Sequence, residues 1–378
     1  MEEWSVVHKV ALWGFGGAFL FGIIAHKTHF CTMGAISDWI NMGSLRRLRA
    51  WLLAMAVALL VSQLLQALGW IDLSASIYLS TNFGIGGYIV GGFLFGVGMT
   101  LGGGCGQRTL VRTGGGNLKS LVVLLVLGLT AYITLRGLLA GVRIEVFEPL
   151  SIDLSEYGLA DQSLASVLVA VSGLAPESVA KGLAVIIGLA LLIYTLKDKD
   201  FRTSGDAIVS GLVVGLLVAG AWLVTGVVGN DDFDPVRLET LTFIAPVGNM
   251  LNYLMTWTGS TIGFGIAVVF GVLAGSLAYA VASGNFRIET FSSRSDMLNH
   301  LYAGVLMGFG GVLSLGCTIG QGVGGFSTLA LGSVVSIVFI VFGCALTIKM
   351  QYYMLDDGFA RSLRQSLADL RLLPRQDT

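Results

Sequence analysis

Charge-poor apolar runs long enough to cross a bilayer recur along the whole chain, as in AWLLAMAVALLVSQLLQALGWI (residues 50–71) and AIVSGLVVGLLVAGAWLVTGVVG (207–229). A helix needs about 20 predominantly apolar residues to span the hydrocarbon core. Only 12% of the 378 residues are charged, whereas a soluble domain carries roughly 25%. The sequence therefore predicts an all-α polytopic membrane protein. Nine spans are expected, near residues 10–30, 50–71, 83–104, 118–140, 179–196, 207–229, 259–282, 300–316 and 328–348. Residues 141–178 include the apolar stretch LASVLVAVSGLAP, and residues 240–258 are apolar but short; both are expected to be interfacial or re-entrant helices. The first run follows Glu2, Glu3 and Lys9 and lacks a small-residue cleavage site. It is expected to stay as a helix rather than act as a signal peptide.

The net charge of −1 says little about partners, but its distribution orients the chain. Alternate loops place Lys27, Arg46, Arg47, Arg49, Arg108, Arg112, Lys119, Lys197, Lys199, Arg202, Arg287, Arg294 and the tail from Lys349 to Arg375 on one side. The other side receives Lys9, Arg136, Arg143, Lys181 and Arg237 beside acidic residues such as Glu145, Glu148, Asp153 and Glu156. Basic residues mark the cytoplasmic side, so the amino terminus is expected outside and the carboxyl terminus inside.

Internal repeats then divide the chain. GGFLFGVGMTLGGGC (91–105) overlays AGVLMGFGGVLSLGC (303–317) at an offset of 212, with Gly92/Gly304, Gly96/Gly308 and Cys105/Cys317 among the coincident pairs. GAFLFGIIAHKTHFC (17–31) matches the same stretch at an offset of 74, and GLVVGLLVAGAWLVT (211–225) is a degenerate copy with Val224 in the cysteine's place. Every copy holds a small-xxx-small pair: Ala18–Gly22, Gly92–Gly96, Gly211–Gly215 and Gly304–Gly308. That spacing lets membrane helices meet backbone to backbone. The division expected is a first repeat of four spans (1–145), a connecting segment with the fifth span (146–200), and a second four-span repeat with the tail (201–378). One intervening span reverses orientation, so the two repeats are expected to be inverted, a transporter arrangement in which Gly-interrupted helices meet at the cargo.

Glycine clusters around Cys105 (GGGCG) and Cys317 (GCTIGQGVGG) exceed what helix packing needs. Non-helical backbone lining a cavity accounts for them better. Cys31, Cys105 and Cys317 occupy one repeat position, whereas Cys344 sits in an ordinary apolar run (VFGCALT) and reads as packing. No CxxC or HxxxH spacing favours a metal, and no GxxxxGK[ST] loop favours ATP. No metal or cofactor is expected. A thiol is a weak donor with a soft, polarizable sulfur, and it suits a sulfur-bearing anion better than chloride or phosphate. Thr318, Gln321 and Gln107, beside the cysteines, are the further candidate ligands. Arg108 and Arg112 either guide the anion inward or serve only as topology markers. The competing reading is a membrane sulfurtransferase or redox protein, in which a cysteine forms a persulfide.

HFCTMGAISD (29–38), GGGCGQRTLVRTGGG (102–116) and GCTIGQGVGGFSTLALGS (316–333) resemble the three cysteine motifs of the YeeE/YedE sulfur-transport family of bacterial inner-membrane proteins. The resemblance extends in order over essentially the whole chain. It implies a nine-span inverted-repeat permease for thiosulfate, or for another sulfur or selenium species. It also implies a relay from Cys317 through Cys105 to Cys31 without a lasting covalent bond, and a small cytosolic TusA-type sulfur carrier as partner. The charge asymmetry generates a direct check: a reporter inserted at 200–205 is expected to be cytoplasmic and one at 155–160 outside. Finding both on one side would break the inverted-repeat reading.

Overall fold

The computed structural model describes residues 5–173, 176–231, 233–354, 356, 358–370 and 372. Glu2, Glu3, Arg371 and Arg375 lie outside the described residues. Helices α1 (Val6–Lys27), α2 (Thr32–Met42), α3 (Arg46–Ala67), α4 (Gly92–Leu101), α5 (Gly106–Gly114) and α6 (Leu118–Arg136) come first. A connecting region comes next, with α7 (Leu139–Val142), α8 (Leu164–Ser172), α9 (Pro176–Leu196) and α10 (Lys199–Thr203). Then come α11 (Gly205–Leu223), α12 (Ile244–Met255), α13 (Phe264–Ala282), α14 (Arg294–Leu313), α15 (Leu331–Tyr353) and α16 (Phe359–Asp369).

The chain is an all-α polytopic membrane protein. Among the described residues, 8 helical stretches are long and apolar enough to cross a membrane. Two of them, Val6–Met42 and Gly87–Gly114, join two helices across an interruption. The remaining expected span is α14, whose first turn carries Arg294 and Asp296 and is therefore less apolar. Its 20 residues still reach about 30 Å, the thickness of the hydrocarbon core. Residues 240–258 form the 12-residue α12, about 18 Å long, packed against α6 and α13. Residues 141–178 break into short helical pieces, pinned by an antiparallel pairing of Asn82–Phe83 with Ile152–Asp153.

Packing follows the small-xxx-small pairs. Gly22 sets α1 against the Val272 carbonyl of α13, and Gly96 sets α4 against the Ile340 carbonyl of α15. Gly215 faces the Ala54 carbonyl of α3, and Gly308 the Leu127 carbonyl of α6. A β-carbon at Gly215 would stand 2.7 Å from its facing oxygen, and one at Gly308 would stand 2.6 Å away. Neither distance is tolerable, so only glycine permits these approaches. The partners are also exchanged in order: α1 lies on α13 as α11 lies on α3, and α4 lies on α15 as α14 lies on α6. Across the centre, α4 meets α14 reciprocally, with Gly91 facing the Gly310 carbonyl and Gly310 facing that of Gly91.

These contacts separate two substitutions of the same chemistry. Gly96→Ala has to push α4 off α15 and is expected to destabilise the protein by about 1–3 kcal/mol, the range for overpacking. Gly16→Ala, at a site with nothing within 4 Å, is expected to be neutral or slightly stabilising. Thermal unfolding of the two variants in detergent checks the contrast, and equal melting temperatures would contradict it.

Candidate functional site

Each of the three glycine-associated cysteines lies at an interruption between a long helix and a second helical segment. Two positions before each one, the backbone turns into the left-handed region, at His29 (φ 53°), Gly103 (φ 65°) and Leu315 (φ 56°). Glycine adopts this conformation freely, but for histidine and leucine it costs about 1–2 kcal/mol. The closures after α4 and α14 match bond for bond. Gly103 N–H donates to the Thr100 carbonyl and Gly104 N–H to that of Met99. At the offset of 212, Leu315 N–H donates to Val312 and Gly316 N–H to Gly311. This is a Schellman ending, which satisfies carbonyls that would otherwise be orphaned.

The break turns Cys31 and Cys105 into caps for the next helix and leaves Cys317 three residues before the Gly320–Gly325 turn. Cys31 is the extended N-cap of α2, and Cys105 that of α5. The Cys31 sulfur accepts the Gly34 N–H at 3.5 Å, and the Cys317 sulfur accepts the Gly320 N–H at 3.4 Å. Arg108 N–H bears on the Cys105 sulfur in the same i+3 relation. Cys317 additionally faces the N–H of Phe243, the N-cap of α12. Three thiols therefore sit among backbone amides, at positions where helix dipoles favour negative charge. Cys344 is different. It lies within α15, fully buried, and accepts the Thr100 hydroxyl at 3.3 Å in ordinary helix packing. All four thiols are free.

The three interruptions converge. The Cys105 thiol lies close to the Cys31 thiol on one side and to Thr318 on the other. Beyond Cys317, the buried Tyr78 hydroxyl stands over Gly320, with Glu239 on the same side. Burial pushes the Glu239 carboxyl above the usual carboxylate range, against the opposing pull of Arg237. Beyond Cys31, Arg108 faces the Cys31 and Cys105 thiols and donates to His29 Nδ1 at 3.3 Å. Arg47 lies over the first turn of α2, against Gly34, and pairs with Asp38 at 3.3 Å. Positive side chains gather at this end, while the thiols themselves are dry: Cys105 and Cys317 are 0% exposed and Cys31 9%.

The other candidate residues divide by what they bond. Gln107 ties the first two motifs together, its Nε2 donating to the Phe30 carbonyl at 3.3 Å while its Oε1 accepts from the Cys105 thiol at 3.7 Å. Gln321 is used at both ends of its amide: Nε2 donates to the Ser314 carbonyl and Oε1 accepts the Ser333 hydroxyl. It holds the Gly320–Gly325 turn in shape. Arg112 points away, toward the Gly103 carbonyl at 3.4 Å and Glu289 at 3.8 Å. The hydroxyls of Thr318 and Thr32 are buried without a completed hydrogen bond, as is the Trp51 indole N–H, whose ring packs on Gly322. An unmade buried bond costs about 1–3 kcal/mol. Thr32 and Trp51 escaped the sequence reading, although Thr32 carried a signal. Cys-Thr-x-Gly stands at both 31–34 and 317–320. Among the described residues, no group of three His, Cys, Asp or Glu side chains is placed to hold a metal ion.

The sulphur-transport family model matches residues 27–346, a stretch that contains all three broken-helix cysteines. The chain belongs to this family. It is 25% identical over 336 residues to the thiosulfate transporter TsuA of Escherichia coli K12, covering 86% of this chain and 90% of that one. It is 26% identical over 334 residues to the thiosulfate transporter TsuA of Spirochaeta thermophila, covering 86% and 94%. Sulphur transport thus stands as its class of activity, and the family is one of transporters rather than enzymes.

The geometry separates the three broken-helix cysteines from Cys344, which packs inside a continuous helix. Cys31→Ala, Cys105→Ala and Cys317→Ala are each expected to lower sulfur-anion uptake, by about tenfold or more at Cys105, where losing a bond to a charged group is worth about 1.5–3 kcal/mol. Cys344→Ala is expected to leave uptake near wild type. Initial uptake rates normalised to protein in the membrane test this, and a triple alanine variant working at the wild-type rate would reduce the thiols to packing residues.

Proposed function

We propose that this protein is a permease that takes up thiosulfate through the three broken-helix thiols. The observation that carries the reading is the convergence of three helix breaks, two of them strained, each presenting a free, dry thiol and an amide at the third residue on. An anion leaving water needs replacement for its hydration, and at Cys317 amides at helix ends provide it without a fixed cation. A buried lysine or arginine would hold the ion too firmly, whereas conduction needs binding weak enough to allow exit. Weak S–H donors meet that need at the terminal sulfur of thiosulfate.

The proposed order runs from Cys317 to Cys105 to Cys31 and out past Arg108. The closeness of Cys105 to both Thr318 and the Cys31 thiol supports a handover in which the ion is never released. The proposed orientation has the amino terminus outside and the carboxyl terminus in the cytoplasm, across a bacterial inner membrane, and the charge asymmetry supports it. The exchanged pairing of α1/α13 with α11/α3, and of α4/α15 with α14/α6, supports two inverted four-helix repeats, 1–145 and 201–378, flanking residues 146–200. A TusA-type sulfur carrier on the cytoplasmic side is the proposed recipient, facing the Arg47 and Arg108 end.

The seclusion of Cys105 weighs against persulfide chemistry, which needs an accessible thiolate. Thiosulfate labelled on both sulfurs distinguishes the two outcomes. Uptake into proteoliposomes lacking any carrier is expected to deliver both labels in equal amounts. Arrival of the outer sulfur alone, with sulfite left behind, would assign the protein to sulfur transfer instead.

A further inference from the structure

We propose that Thr32 and Thr318 are the oxygen-recognising half of two cysteine–threonine sites, so that the pathway selects an anion bearing both a terminal sulfur and sulfonate-type oxygens. The inference rests on the permease reading and adds to it the basis of selectivity. Both threonines directly follow a broken-helix cysteine, at 31–32 and 317–318. Both are almost fully buried, at 2% and 1% exposure, and neither hydroxyl completes a hydrogen bond.

The contrast with other threonines gives the physical cause. Thr100, Thr109, Thr134, Thr225 and Thr347 each donate to the carbonyl one turn back, at Gly96, Cys105, Thr130, Ala221 and Gly343. That acceptor exists only inside a continuous helix. Thr32 is the first residue of α2, and Thr318 lies between α14 and the Gly320–Gly325 turn. The break that presents each thiol also removes the carbonyl its neighbouring threonine would otherwise use.

The middle motif has Gly106 in place of a threonine, yet Thr318 lies close to the Cys105 thiol. Two hydroxyls therefore serve three thiols. A hydroxyl is a firm donor to an oxyanion and a thiol is a soft partner for sulfur, so the pair reads both ends of one ion. Sulfate satisfies only the hydroxyl and hydrosulfide only the thiol.

The test uses the full chain in proteoliposomes, with Thr32→Val and Thr318→Val removing the hydroxyl at nearly constant shape, and Thr32→Ala and Thr318→Ala removing it without any added methyl group. Labelled thiosulfate is the transported probe, and sulfite and hydrosulfide are the competitors. Each Val or Ala variant is expected to raise the half-saturating thiosulfate concentration about tenfold and to weaken sulfite competition similarly. Hydrosulfide competition stays unchanged, the melting temperature of the Val variants does not fall because an unpaired buried hydroxyl is lost, and Thr→Ser restores both losses. Wild-type half-saturation and an unaltered competitor profile in the Val and Ala variants would overturn the inference while leaving the permease reading intact. Failure of the wild-type chain to take up thiosulfate would instead remove the reading on which it rests.

Discussion

The approach of helix backbones at glycine is the contact on which the rest of this structure depends. In a bilayer, lipid tails are as apolar as leucine, so burial alone does not draw helices together. Close packing does, and it is strongest where no side chain intervenes. Gly22, Gly96, Gly215 and Gly308 bring α1, α4, α11 and α14 onto facing carbonyls of α13, α15, α3 and α6. Every one of these pairings joins an early helix to a late one. The consequence is geometric: residues more than two hundred positions apart, such as Cys105 and Thr318, are brought together at the centre.

That rigid frame makes the strained breaks sustainable. His29 and Leu315 hold left-handed backbone that their side chains disfavour, and Thr32, Thr318 and Trp51 hold donors without partners. An isolated hairpin would relax these features by continuing the helix. Here α4 is clamped between α14 and α15, and α1 against α13, so the interruptions persist. Strain and unmet donors persist at these breaks because the surrounding packing over-determines them.

The charge pattern complements this arrangement. The thiols are surrounded by amide dipoles, whereas the guanidinium groups of Arg47 and Arg108 stand together at the Cys31 end. Dipoles spread over several peptide groups offer an anion moderate attraction, and on the proposed route the cations at one end would supply a direction. Gln107 and Gln321 contribute by fixing the backbone that carries those amides: one links Phe30 to Cys105, and the other braces Ser314 against Ser333.

Membrane insertion, the positions of the spans, the small-xxx-small seams and the shared position of three cysteines were all determined by the sequence alone, because hydropathy, charge and spacing are properties of neighbouring residues. The short α12 and the fragmented 141–178 segment were legible for the same reason. What each polar side chain bonds was decided only by the tertiary structure. Gln321 stands beside Cys317 in the sequence, yet both ends of its amide brace the turn. Arg112 and Arg108 look equivalent in the sequence, but Arg112 turns to Glu289 while Arg108 faces two thiols. Thr32 resembles any helical threonine until the break behind it is seen to remove its acceptor. Hydrogen-bond partners come from whichever helices pack alongside, and no local pattern specifies which carbonyl another helix will bring within about 3 Å.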